Sequence, residues 1–196
     1  MAILSTVFTA LAASTLTVLL VVATFHDCRS SRIPNRATYS AFLAALVIAT
    51  AKSIACHCGI LGWDAGGAIT LAESLKGAGL CFGLLLAVQL SPFGRQLGAG
   101  DIKLATAIGA LLGWEQGLQT LIWCFLLPAP YIFYLAVKEF GLVRLGREAV
   151  LRLGSRLFPR WFIIDSLPGE FAPFLRRRVP LAAFFALGTL FTVLGV

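Results

Sequence analysis

Two aspartates, Asp27 and Asp101, each lie where an apolar run of the sequence meets a polar one. Asp27 follows an apolar run without any charged side chain, and Asp101 opens an apolar segment after a Gly-Ala-Gly stretch. A carboxylate beside hydrocarbon is energetically costly, so such a residue indicates a function and needs a partner. Taken alone, each aspartate also has a structural interpretation, in which Asp27 ends a helix and Asp101 caps one.

The two carboxylates considered together indicate a definite chemistry. Like charges that are held close together do not both ionise, so a facing pair shares one proton near neutral pH. The ionised member takes a proton from water, while the protonated member polarises a peptide carbonyl group. This is the chemistry of an aspartic protease, and it requires no metal ion and no Ser or Cys nucleophile.

The sequence beside each aspartate predicts a turn that would position it. After Asp27, Pro34 has a fixed φ and disfavours helix at the residue before it, so we expect the chain to turn there. Asn35 is then a candidate cap for the helix that follows. Before Asp101, the two glycines permit close backbone approach, which allows a loop at the membrane edge to lie beside a substrate.

The composition of the chain indicates a membrane protein. Of its 196 residues, 59% are hydrophobic and only 13% are charged, against about 25% charged residues in ordinary soluble domains. A disordered chain, a collagen-like chain and almost any soluble globule are therefore excluded. Five cysteines without a repeated spacing do not form a disulfide framework. We predict an all-α polytopic membrane protein.

The apolar runs predict about six transmembrane helices in a single membrane-embedded domain, residues 1–196, because a bilayer core needs roughly 20 apolar residues as helix. Only 11 residues separate Lys103 from Glu115. We therefore expect this fourth helix to begin near Gly98, with Asp101 and Lys103 at the membrane edge; a re-entrant segment is the alternative. The predicted spans are 3–25, 38–60, 77–94, 99–114, 117–137 and 179–196.

The distribution of basic residues predicts the orientation in the membrane. Fourteen of the 16 Lys and Arg residues fall in loops on one side, nine of them in the loop 138–178, and only Lys52 and Lys76 fall on the other. The positive-inside rule makes the basic side cytoplasmic and places the N- and C-termini outside. The basic loop resembles an amphipathic helix lying on anionic lipid. This topology explains the net charge of +7 without any nucleic acid.

Both aspartates and their neighbours resemble the motifs of a known family. Residues 27–35, DCRSSRIPN, and residues 98–104, GAGDIKL, are similar to those of the prepilin peptidases, and residues 178–188, RVPLAAFFALG, are similar to the closing segment of that family. Prepilin peptidases are membrane aspartic endopeptidases of the Gly-x-Gly-Asp class. The chain has no Cys-x-x-Cys pair, so it resembles the short form that serves Flp, or tight-adherence, pili.

The resemblance implies an activity and a site. The chain would cleave the leader peptide of Flp-like type IV prepilins at the cytoplasmic face of the inner membrane, without methyltransferase activity. Asp27 and Asp101 would be the catalytic pair, and Gly98 and Gly100 would shape the active-site loop. We expect no cofactor and no metal ion. The partners would be the prepilin substrate, membrane lipid and the pilus assembly machinery.

Lys103 follows the second aspartate closely and has two interpretations. It is a candidate substrate contact to an acidic group of the pilin near the cleaved bond, or an anchor at the membrane interface. The sequence Cys56-His57-Cys58 offers three potential metal ligands, but one strand does not surround a zinc ion and no fourth ligand is evident.

Other functions stay open at this point. A non-catalytic pilus or secretion assembly protein would share the fold, because fold does not imply function. A small proton-coupled transporter would need acids near the bilayer midplane and an inverted repeat, and neither is visible in the sequence. Another Gly-x-Gly-Asp membrane protease would share the aspartate pair.

Overall fold

The structure, a computed structural model, describes residues 2–30, 33–61, 69–90, 98–141 and 181–195, and within them all regular secondary structure is helical. The chain divides into two compact units, Met1–Phe125 with Pro180–Val196, and Leu126–Val179. The helices are α1 (Ala2–Ser30), α2 (Asn35–His57), α3 (Leu71–Leu90), α4 (Ala99–Leu126), α5 (Pro128–Phe140) and α6 (Leu181–Leu194).

The helices have the lengths and surfaces of membrane-spanning segments. Many large apolar side chains are exposed on them, among them Val21 at 63% and Leu43 at 61%, which is unfavourable in water and favourable in lipid. Four helical segments are long and apolar enough to cross a membrane, whereas α6 is shorter; the four are Ile3–Ser30, Asn35–His57, Leu71–Leu90 and Ala99–Glu139.

These observations confirm the predicted all-helical, multi-pass class. The number of six spans, the outward location of both termini and the single domain stay predictions. The basic loop 138–178 lies outside the described residues from residue 142 onward.

A sharp bend at Gly113 divides α4 into two arms. Gly113 has φ +83° and ψ −176°, a conformation that L-residues with a side chain rarely adopt. A methyl group added at Gly117 would lie 3.2 Å from the Cα atom of Gly109, although residues eight apart in a straight helix are separated by about 12 Å. The second arm therefore folds back beside the first, and the turn between the predicted spans 99–114 and 117–137 is made at Gly113.

A second interruption lies within the predicted span 117–137. The helix α4 ends at Leu126, and α5 begins at Pro128 after one turn residue, Leu127. Proline is favoured in the first turn of a helix, because its missing N–H would have no intrahelical partner there. Leu127 keeps helical backbone angles, φ −63° and ψ −42°, so the interruption is limited to this residue and the predicted span 117–137 stays a prediction.

The core of the first unit is formed by side chains from α1, α2, α3, both arms of α4 and α6. In pairwise packing, α1 contacts α2 and α6, and α2 contacts α3. The most buried large side chains in this core include Leu19, Leu85, Leu104, Ile108 and Phe185. This packing holds α1, α4 and α6, the three helices that form the site described below, in a fixed arrangement.

Glycines allow α3 and α4 to approach each other closely. A methyl group at Gly77 would overlap the backbone of Gly109 and Gly113. Next to this crossing, the buried Ser74 hydroxyl donates a hydrogen bond of 2.7 Å to the carbonyl oxygen of Ala110. Close backbone contact between small residues, with a hydroxyl bonded across it, is typical of helix pairs in membranes.

Candidate active site

Asp27 lies in the last turn of α1, which continues to Ser30. The alternative in which Asp27 ends the helix is therefore wrong. Its Oδ2 accepts a hydrogen bond of 3.1 Å from the backbone N–H of Ala182, the second residue of α6. The carboxylate thus has the dedicated partner that its position beside hydrocarbon requires.

Asp101 lies in the first turn of α4, two residues after its start at Ala99. Its Oδ2 accepts a hydrogen bond of 3.1 Å from the backbone N–H of Gly98, and its own N–H donates to the Gly98 carbonyl oxygen at 3.0 Å. An acidic side chain that bonds back to the N–H before the helix satisfies a donor that the helix leaves free. Asp101 is therefore not the cap itself, which is Gly98.

The two aspartates lie at the same end of the first unit. The charge of Asp27 acts on the carboxyl group of Asp101, so the two groups lie within electrostatic range of each other. The chain between α1 and α2 also contacts this end, because a methyl group added at Gly100 would lie 3.4 Å from the Cβ of Ile33. The structure therefore brings together the two residues that the sequence singled out.

The two glycines of the motif have different positions. Gly98 precedes α4, whereas Gly100 is the second residue of the helix and so is not part of a loop. A methyl group added at Gly98 would lie 3.1 Å from Oδ2 of Asp101. The absence of a side chain at Gly98 therefore leaves the space that the carboxylate occupies.

Lys103 joins the first turns of α4 and α2. Its Nζ donates a hydrogen bond of 3.0 Å to Oδ1 of Asn35 and lies 5.2 Å from the ring centroid of Tyr39. Asn35 was expected to cap α2, but the cap position is Pro34 and no side-chain capping bond forms there. The prediction that Asn35 is the cap was wrong, because its side chain binds Lys103 instead.

Helix N-termini gather around the two carboxylates. The N-terminal ends of α4 and α6 each provide one backbone N–H, from Gly98 to Asp101 and from Ala182 to Asp27. A helix N-terminus has about half a positive charge and free N–H groups, so it stabilises a neighbouring anion. The surroundings thus offset part of the repulsion between two acidic groups at one site.

A cavity in the first unit lies away from the aspartates. Within the described residues, no group of three or more His, Cys, Asp or Glu side chains is placed to hold a metal ion, Cys56-His57-Cys58 included. A cavity of about 430 Å³ opens beside the Gly113 turn. Of the α1 residues that line this cavity, Leu16 is the one nearest to Asp27 in the sequence. Leu16 precedes Asp27 by 11 residues, about 16 Å of helix.

Sequence reasoning missed the backbone donor at Ala182 and the contact of Lys103 with Asn35 and Tyr39. The sequence does contain a signal for the donor at Ala182. Pro180 predicts a helix that begins directly after it, and the first N–H groups of any helix are free to bind an anion. No sequence signal identifies which anion they bind.

An all-helical bundle of membrane-spanning length with two acidic groups at one end defines a multi-pass membrane protein with a candidate acid–base site. Comparison with known protein families matches residues 14–133 to the type IV leader peptidase family. The chain belongs to this family, since the match covers more than half of its length and includes both aspartates. No curated protein and no solved structure matches the chain. Membership of the family implies a peptidase, which is a hydrolase.

Proposed function

We propose that this chain is an aspartic endopeptidase that removes the leader peptide of Flp-like type IV prepilins at the cytoplasmic face of the inner membrane, with Asp27 and Asp101 as the catalytic pair. The observation that carries this proposal is that both acids, in the last turn of α1 and the first turn of α4, lie within the region that matches the leader peptidase family. A non-catalytic assembly protein would have no need of two acids brought together from different helices.

The pair would act by general acid–base catalysis on a water molecule. One ionised carboxylate removes a proton from water, and the resulting hydroxide attacks the carbonyl carbon of the scissile peptide bond. The protonated carboxyl group donates its proton to the carbonyl oxygen as the tetrahedral intermediate forms. When the C–N bond breaks, the first aspartate gives the proton it took from water to the departing amine, and a hydroxyl group of the intermediate returns a proton to the second aspartate as the carboxyl product forms. Either aspartate can take either role, so base and acid are assigned to the pair and not to one residue.

The chemistry of the substrate suits the position of the pair. A prepilin has a short polar leader followed by an apolar helix, so its scissile bond lies at the membrane interface. Asp27 is in the last turn of α1 and Asp101 is in the first turn of α4, which are helix ends rather than helix centres. Carboxylates near the bilayer midplane, as a proton-coupled transporter needs, would lie in the middle of their helices.

Cleavage of a tagged prepilin, co-expressed with the chain, tests the proposal. We expect leader removal with the wild-type chain and a loss of at least about 100-fold with Asp27→Asn or Asp101→Asn, because asparagine keeps the shape of aspartate but does not transfer a proton. Glu115→Gln is the matched control, since Glu115 is an exposed acid beside the Gly113 turn, and it should cleave at the wild-type rate.

The outcomes separate the candidate functions. Persistent cleavage by either Asn variant, at equal protein level, would rule out the aspartate pair. Failure of the wild-type chain to cleave any prepilin of Flp type would favour the assembly protein instead. We predict that the chain has no methyltransferase activity. Mass spectrometry of the mature pilin should therefore show an N-terminus without an added methyl group.

A further inference from the structure

Two hydrogen bonds join the first turn of α6 to α1 beside Asp27. Ala182 donates its N–H to Oδ2 of Asp27 at 3.1 Å, and its carbonyl oxygen accepts a hydrogen bond of 3.4 Å from the Thr24 hydroxyl. Thr24 and Asp27 are three residues apart, so they lie on the same face of α1. Both polar groups of one peptide residue are thus bound by one face of the helix that contains a proposed catalytic acid.

The N–H of Ala182 is available for this contact because of its place in the helix. It belongs to the first turn of α6, where N–H groups have no intrahelical acceptor. Ala182 is fully buried, at 0% exposure, so water does not satisfy its N–H and the Asp27 carboxylate does. The methyl side chain takes no part in the bond, which any residue with a backbone N–H could make.

We infer that the main-chain amide of Ala182 is a positioning group, which holds the Asp27 carboxylate in its reactive orientation through Oδ2. The inference rests on the proposed function for its catalytic consequence. A carboxylate has about four lone-pair sites on its two oxygens, so one amide donor fixes its plane and leaves sites free for a water molecule. The last helix of the described chain, which lies outside the region matched to the family, is thereby part of the active site.

Replacement of Ala182 by L-lactic acid tests this directly, because the resulting ester has an oxygen atom where the amide has its N–H and keeps the same side chain. The matched control is the same replacement at Ala183, the next residue in the first turn of α6. Both positions can be reached by joining a synthetic C-terminal peptide to the remainder of the chain.

We expect the ester at position 182 to lower kcat for prepilin cleavage by about 10- to 100-fold with little change in KM, because a slightly misplaced catalytic group costs rate rather than binding. The ester at position 183 should keep kcat within about twofold, since it removes no contact to Asp27. Equal kcat values for both esters and the wild-type chain would overturn the inference.

A stability measurement gives an answer that does not depend on activity. The ester at position 182 and Asp27→Ala are made singly and together, and unfolding is followed in detergent. If the two groups are bonded, the effects of the two changes are not additive, whereas the ester at 183 and Asp27→Ala add. Additive effects at both positions would refute the contact.

The two experiments distinguish failure of the inference from failure of the proposed function. A wild-type chain that cleaves prepilin and an Ala182 ester that cleaves equally well leave the proposed function standing and reject the positioning role. A wild-type chain that does not cleave, with non-additive stability effects, rejects the proposed function and supports the amide as the group that holds Asp27.

Discussion

A methyl group at Gly98 would lie 3.1 Å from Oδ2 of Asp101, so a side chain at this position would disturb the carboxylate directly. We expect Gly98→Ala to displace the carboxylate and to lower kcat about tenfold or more. Gly100→Ala is the matched control, since its methyl group would meet the Ile33 side chain at 3.4 Å and leave the carboxylate in place. Prepilin cleavage rates check this, and a larger loss from Gly100→Ala would contradict it.

Lys103 allows a test of substrate recognition. If its charge binds an acidic group of the pilin near the cleaved bond, Lys103→Gln should raise KM by up to about fivefold, the strength of an exposed ion pair. Asn35→Ala removes the partner of Lys103 within the chain but keeps the charge, so KM should then stay the same or fall. Neutralisation of the acidic pilin residue should abolish the difference between wild type and Lys103→Gln.

An unchanged KM for Lys103→Gln would remove the substrate contact. The hydrogen bond to Asn35 and the position over the Tyr39 ring would then be the whole function of Lys103, as a link between two helices.

At the residue scale, the sequence singled out the two acids but not the groups that form hydrogen bonds with them. Asp27 and Asp101 could be found because a carboxylate beside apolar sequence is unusual for a reason of energy. The Ala182 amide could not be found, because every residue except proline has a backbone N–H. Asn35 was assigned to the nearest helix end, although a long-range contact with Lys103 competes with local capping.

At the scale of the helices, the crossing of α3 and α4 leaves no space for an added methyl group at Gly77. We expect Gly77→Ala to destabilise the protein by about 1–3 kcal/mol, the usual cost of overpacking, because its methyl group would overlap backbone atoms of α4. Gly79→Ala and Gly83→Ala are matched controls in the same helix, since a methyl group at either one meets nothing within 4 Å. Thermal unfolding in detergent measures all three.

The two controls should unfold at the wild-type temperature or slightly above it, because alanine reduces the freedom of the unfolded chain. Equal destabilisation by all three substitutions would show that glycine is needed in α3 for another reason than the contact with Gly109.

The helices themselves were predictable to different degrees. Apolar runs of about 20 residues predict α1, α2 and α3, because hydropathy and length suffice for a helix surrounded by lipid. The turn residue Leu127 between α4 and α5 has no clear signal in the sequence. Pro128 is a signal for a helix start, but it stands inside an apolar run, and hydropathy does not distinguish one bent helix from two.

For the whole molecule, two native cysteines report the topology. Cys28 is exposed and directly follows Asp27. Cys58 is exposed and caps the C-terminal end of α2. The positive-inside rule predicts that Cys28 faces the cytoplasm and Cys58 the opposite side. A membrane-impermeant maleimide should therefore label Cys28 only in inverted vesicles and Cys58 only in intact spheroplasts.

Cys28→Ser and Cys58→Ser identify which thiol is labelled, because the other three cysteines, Cys56, Cys81 and Cys124, are buried. Labelling of both exposed thiols from one side would contradict the predicted orientation, whatever the activity of the protein.

The bond between Asp27 and Ala182 joins residues 155 positions apart in the sequence. During synthesis α1 enters the membrane long before α6 exists, so the nascent chain holds Asp27 without the amide that fastens it. We therefore expect the protein to mature late, with hydrolytic competence arriving only when the last helix docks. Other proteins that are being inserted into the same membrane would therefore not be cleaved by a chain whose last helix is still missing.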